Sequence, residues 1–143
     1  DFRLATPDCE LSIMEAKWGL VPDMSGTVSL RDLVPIDIAK RLSMTAECFS
    51  AEQGKVWGLV TETHEQPLLA ARELAASIAT RSPDSVASTK FLFQRAWPAS
   101  ENHAFWLERW YQLRLLFGKN QRVAVKTVQT GKAQPYLPRR IKS

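Results

Sequence analysis

The sequence is short of several residue types, and each shortage excludes something. Its 143 residues include only two cysteines, Cys9 and Cys48. They lie far apart and form no C-x-x-C pair, so neither a redox dithiol nor a disulfide-stapled secreted scaffold is indicated. As small apolar side chains they are expected to be buried free thiols. The two histidines, His64 and His103, have no carboxylate or thiol neighbour at metal-ligand spacing, so no metal site is expected. No apolar run approaches the roughly 18–20 residues of a membrane-spanning helix. There is no internal repeat and no low-complexity stretch. The chain opens on Asp1-Phe2-Arg3-Leu4 without a methionine. It therefore reads as a cut piece whose targeting segment, if any, lies upstream.

What is present fits one globular body. Hydrophobic residues make up 45% and charged residues 24%, enough apolar material for a core. The net charge of +4 is mild. Its positive side thickens at the end, at Lys132, Arg139, Arg140 and Lys142, where a tail could meet a nucleotide phosphate, nucleic acid or another subunit.

Phe2 and Leu4 alternate with polar neighbours and predict a strand, followed by a turn at Thr6-Pro7-Asp8. A second extended stretch runs from Glu10 to Met14, and Glu15 stands at its end, where a rigid scaffold tends to present functional groups. Isolated strands need partners, and those of these first two strands are expected upstream of Asp1. A loop at 23–27 leads into a short helix over 28–33, and Pro35 at N1 starts another through Leu42. Ser50-Ala51-Glu52-Gln53 is a capping box for a helix that stops at Gly58, with a short strand expected at 59–61. Four helical segments follow: one from Pro67, one opened by Ser82-Pro83, one over 100–117 ended by Gly118, and a last from about residue 120 to 130. In the third of these, Trp106, Trp110, Leu113 and Phe117, with Phe105 and Leu116, repeat at helical spacing. Such a stripe predicts core or subunit interface rather than a cofactor box.

The candidate chemistry centres on two carboxylates, Glu15 and Asp23, eight residues apart with Gly19 and Pro22 between them. A turn could aim both at one pocket lined by Trp18, Leu20 and Val21. Desolvation there would raise a carboxyl pKa and make it a proton carrier near neutral pH. The alternative is a surface acid and a helix cap.

The run Leu11 to Thr27 (LSIMEAKWGLVPDMSGT) resembles the "E-x-x-x-G-[LIT]-x-P-x-x-G-G-T" segment of the enoyl-CoA hydratase/isomerase, or crotonase, family. A second run, Met44 to Val60, is similar to the family's "A-x-E-A-x-x-x-G-L-V". A third, Ala75 to Lys90, is similar to "I-A-x-x-S-P-x-A-x-x-x-x-K". Order and spacing hold over residues 1–95, and the last 40 residues match only in being helical.

The resemblance implies an α/β crotonase spiral of ββα units, of which this chain is the mostly helical C-terminal part. Residues 1–81 would be the end of the crotonase core and 82–143 a helical oligomerisation region. It implies acyl-CoA thioester chemistry, with enolate stabilisation by two backbone N–H groups. Those donors belong to the half of the family pattern that precedes these residues. Glu15 matches the second catalytic glutamate of the hydratases. Asp23, usually glycine in hydratases, matches the aspartate that works with that glutamate in dienoyl-CoA isomerases. Trp18, Leu20 and Pro22 would touch substrate. Ser25 replaces the family's second turn glycine. Thr130 stands where many hydratases carry a lysine near the CoA phosphates, with Lys132 two residues on, which puts nucleotide contact by that segment in doubt.

No metal and no dissociable cofactor is implied, because CoA is part of the substrate. The expected partners are an acyl-CoA thioester and other copies of the chain, as a trimer or dimer of trimers. No membrane or nucleic acid is expected, and the expected location is cytoplasmic. Dienoyl-CoA isomerisation and hydration of 2-enoyl-CoA both stay open. So does a non-catalytic assembly member, or one that binds RNA through Arg139-Arg140-Ile141-Lys142.

Overall fold

In a computed structural model, residues 1–141 are described, and Lys142 of the basic tail lies outside them. The chain divides into two compact units, Asp1–Glu73 and a second that begins at Leu74.

In the first unit, β1 (Leu4–Ala5) pairs in parallel with β4 (Glu62–Thr63), Leu4 opposite Glu62. Strand β2 (Glu10–Ser12) runs antiparallel to β3 (Cys48–Ser50), Leu11 opposite Phe49. Both early strands thus find a partner on this chain, which corrects the expectation that their partners lie upstream. The pairing also sets Cys48 opposite Ser12 near the edge, where its thiol is exposed rather than buried, and Cys9 is only half-buried.

Helix α1 (Gly26–Arg31) leads to α2 (Ile36–Thr45), with Pro35 at the N-cap rather than at N1. Helix α3 (Ala51–Trp57) starts where the capping box placed it: Ser50 Oγ accepts the N–H of Gln53 at 3.2 Å. It ends at Gly58, whose φ of +94° is left-handed; a Cβ there would lie 2.6 Å from the Leu33 carbonyl oxygen.

That ending moves the expected strand. The N–H groups of Leu59 and Val60 both donate to the Gly54 carbonyl, at 2.7 and 3.1 Å. The Arg3 guanidinium takes the carbonyls of Leu59 and Gly58, at 2.6 and 3.1 Å. The backbone at 59–60 is consumed in closing the helix, and the ladder begins only at Glu62. Arg3 also sets a cation against the negative end of α3. The unit's core is Leu30, Val34, Leu42, Ala51 and Val60. Leu42 is fully enclosed, worth about 1.5–3 kcal/mol of burial.

Helix α4 (Pro67–Ala79) carries the chain across the unit boundary. The second unit contains α5 (Pro83–Ala96), α6 (Glu101–Leu116) and α7 (Lys119–Thr130), each packed on the other two. Ser82 Oγ accepts the Ser85 N–H at 3.4 Å and caps α5. Leu107 and Tyr111 of α6 are buried, and the Tyr111 hydroxyl accepts from Arg95 of α5 at 3.0 Å.

The aromatic stripe of α6 is not core. Trp106 stacks on Trp110 with centroids 5.9 Å apart, His103 stacks on Trp106 at 5.8 Å, and Arg114 lies over Trp110 at 5.8 Å. These rings, with Phe105, Leu113, Leu116 and Phe117, remain exposed. Apolar residues occupy several sides of α6, and the buried Leu107 and Tyr111 mark only one of them.

Candidate functional site

Glu15 opens a 3-10 turn, Glu15–Trp18, three residues beyond the end of β2. The turn is wound by its own backbone. Lys17 N–H donates to Met14 at 3.0 Å, Gly19 to Ala16 at 3.1 Å, and Leu20 to the Glu15 carbonyl at 2.9 Å. Closing it requires Gly19 at φ +71°, a left-handed conformation that a side chain would strain. The turn rests against α2, and Glu15 is half-buried there.

The loop that carries Asp23 is fixed at its far end. A Cβ on Gly26 would come 2.7 Å from the Pro22 Cβ, so proline and glycine approach more closely than any other residue at 26 would permit. Ser25 adopts φ +63° and ψ 14°, the left-handed conformation that a turn glycine adopts freely. The loop keeps the glycine geometry at a cost of about 1–3 kcal/mol of local strain. Asp23 is exposed.

The predicted apolar pocket does not close around these carboxylates. Trp18, Leu20 and Val21 are 72%, 64% and 73% exposed. These side chains stand open to solvent instead of walling in Glu15. Pro22 alone of the group is half-buried. Among the described residues, no group of three or more His, Cys, Asp or Glu side chains is placed to hold a metal ion. No helix among the described residues is long and apolar enough to cross a membrane.

A second polar cluster was missed in the sequence. Asp84, in the first turn of α5, is buried and spends both oxygens on other parts of the chain. Its Oδ1 accepts the backbone N–H groups of Arg140 and Ile141 at 2.7 and 3.1 Å, and its Oδ2 accepts from Asn120 Nδ2 at 2.8 Å. Asn120 in turn clasps Leu137, accepting its N–H at 2.8 Å and donating to its carbonyl at 2.9 Å. Burial raises the Asp84 pKa, but the two backbone N–H groups, the Asn120 amide and the Arg140 charge together outweigh it and hold the carboxyl below its ordinary value. The only local signal was an acid beside the Ser82-Pro83 cap, and a first-turn acid is ordinarily read as a helix-dipole partner.

The fold is that of crotonase-type enzymes. An enoyl-CoA hydratase from Polaromonas sp. JS666 superposes with a TM-score of 0.88 at 26% identity, covering 96% of this chain and 54% of that one. An enoyl-CoA hydratase from Bacillus anthracis gives a TM-score of 0.91 at 23% identity, over 95% of this chain and 54% of that one. A carnitinyl-CoA dehydratase of Salmonella typhi is 33% identical over 96 residues, 66% of this chain and 37% of that protein. Residues 1–122 match the family model of enoyl-CoA hydratase/isomerase, and the chain belongs to that family. It spans little more than a third of the curated relatives it matches and about half of the solved structures.

Proposed function

We propose that the protein containing this chain acts on an acyl-CoA thioester, with Glu15 moving a proton at the acyl chain. The observation that carries this is the mounting of Glu15. It is half-buried at the head of a turn pinned by Gly19, and the resemblance of Leu11 to Thr27 to the family segment implies that it is a catalytic glutamate. A carboxylate held on a rigid turn can be aimed at one carbon, which is what general acid–base catalysis requires. The exposed Trp18 and Leu20, with Pro22, form the apolar face on which the acyl chain would lie. Closing substrate over them would desolvate Glu15. The chemistry needs no metal and no separate cofactor.

Asp23 supplies the second proton site, which favours isomerisation of a dienoyl-CoA. Glu15 sits on the turn closed by Gly19, and Asp23 follows in the loop bracketed by the Pro22–Gly26 contact. Hydration or dehydration is the second reading, favoured by relatives that are an enoyl-CoA hydratase and a carnitinyl-CoA dehydratase. In the intact protein, Glu15→Gln is expected to lower turnover by about a hundredfold or more. Unchanged turnover of both enoyl- and dienoyl-CoA esters would remove Glu15 from the mechanism. Asp23→Asn separates the two reactions: loss of isomerisation with hydration intact supports the isomerase, and the reverse pattern sinks it.

The open aromatic side of α6 supports assembly into a homo-oligomer, a trimer or dimer of trimers, since a ladder of stacked tryptophans is costly to leave in water. Light scattering on the intact protein tests this, and a monomer across the accessible concentration range would refute it.

A further inference from the structure

The second unit holds a cavity of about 280 Å³ whose lining is strongly biased in charge. Arg114 comes from the end of α6, Lys119 and Arg122 from the start of α7, and Arg140 from the tail. Among the described residues that line it, Asp84 is the one carboxylate, set against four cations.

That anion does not neutralise the cations as a set. Both Asp84 oxygens are occupied by N–H donors, two of them backbone groups of the tail and the third the Asn120 amide. Among the described residues, no ion pair within 4 Å involves Arg114, Lys119, Arg122 or Arg140. Asp84 and Asn120 do something else. By gripping the backbone at Leu137, Arg140 and Ile141, they fix the tail beside α7 and bring Arg140 to the same wall as the other three cations. Like charges gathered from three separate elements repel one another, and the arrangement is relieved when an anion sits among them.

We infer that this cavity binds a small multiply charged anion of the phosphate class, a diphosphate group, through Arg114, Lys119, Arg122 and Arg140. Guanidinium forks and an ammonium suit phosphate oxygens by charge and by donor geometry. The group could arrive as free pyrophosphate or as the diphosphate of a nucleotide, and the lining recognises the same chemistry in either. The inference is independent of the acyl-CoA reading, because it uses none of the residues around Glu15.

Titration of the 143-residue chain with sodium pyrophosphate at low ionic strength, followed by calorimetry, is expected to give saturable binding that weakens as salt is raised. Lys119→Gln combined with Arg122→Gln alters two exposed side chains, and its fold can be verified by circular dichroism. It is expected to lower affinity about tenfold or more. Tryptophan fluorescence gives a local readout, because Arg114 lies over Trp110 and an anion that engages the guanidinium changes that ring's surroundings. Trp110→Phe should remove the fluorescence change while leaving the heat. ADP binding more tightly than pyrophosphate assigns the group to a nucleotide, and equal affinity assigns it to the free diphosphate. Absence of saturable binding, or equal affinity in the doubly substituted chain, would overturn the site.

Discussion

Asp84 Oδ1 accepts the backbone N–H of Arg140 at 2.7 Å, joining the first turn of α5 to a residue 56 positions later. Together with Asn120, which clasps Leu137, this carboxylate holds the tail in its path. Helix propensity and hydrophobic periodicity say nothing about such a link.

Asp84→Asn should release the tail. The amide keeps the shape but loses the charge, and it cannot accept all three N–H groups without exposing one donor to another. Loss of about 2–3 kcal/mol of stability is expected. Urea denaturation compared with the parent chain measures it, and amide exchange at Arg140 and Ile141 should accelerate in the variant.

The same carboxylate makes stability depend on pH in a defined direction. Its folded pKa is lowered, so its contribution is complete above the unfolded value of about 3.9 and disappears as pH falls through the folded pKa. The stability gap between the parent and Asp84→Asn should stay constant from neutral pH to about pH 5 and narrow below about pH 4. A gap that widened on acidification would contradict the assignment.

Gly58→Ala is expected to cost about 2 kcal/mol or more, since the new methyl meets the Leu33 carbonyl and the residue must hold φ +94°. Gly131→Ala is the control. Its φ is also positive, at +67°, but nothing lies within 4 Å of its added Cβ, so its loss should be smaller. Thermal melts of the two variants rank them directly.

The 143-residue chain alone should show no turnover of enoyl- or dienoyl-CoA esters. Glu15 is one carboxylate of the proposed chemistry, and the apolar side chains beside it stand open. Measured activity from the purified chain would show that the site is complete within these residues.

How much of this could be read beforehand follows from the range of each interaction. Ser50, Gly58 and Ser82-Pro83 were legible because a cap is satisfied within three or four residues. The strand at 59–61 was misread because Arg3 and Gly54 claim that backbone, and Arg3 is remote in sequence. Cys48 was expected inside on its residue type, yet the register of β2 and β3 leaves it at an exposed edge. Glu15 and Asp23 stood out by spacing and resemblance. The openness of Trp18, Leu20 and Val21 did not, because it depends on what packs against them in three dimensions rather than on their spacing. The basic cavity was legible only in part: the cluster of charges near the end was visible, but not the clasp that folds it back against α7.

The grip of Arg3 on Gly58 and Leu59 also bears on how the chain acquires its structure. The ends of that contact are 55 and 56 residues apart, and the adjoining parallel ladder can form only after the intervening chain has closed. Loop closure on that scale is slow compared with helix formation. In the second unit, α5, α6 and α7 follow one another with short connections. Its helices should therefore be in place while the first residues of the chain are still searching for Glu62 and Thr63.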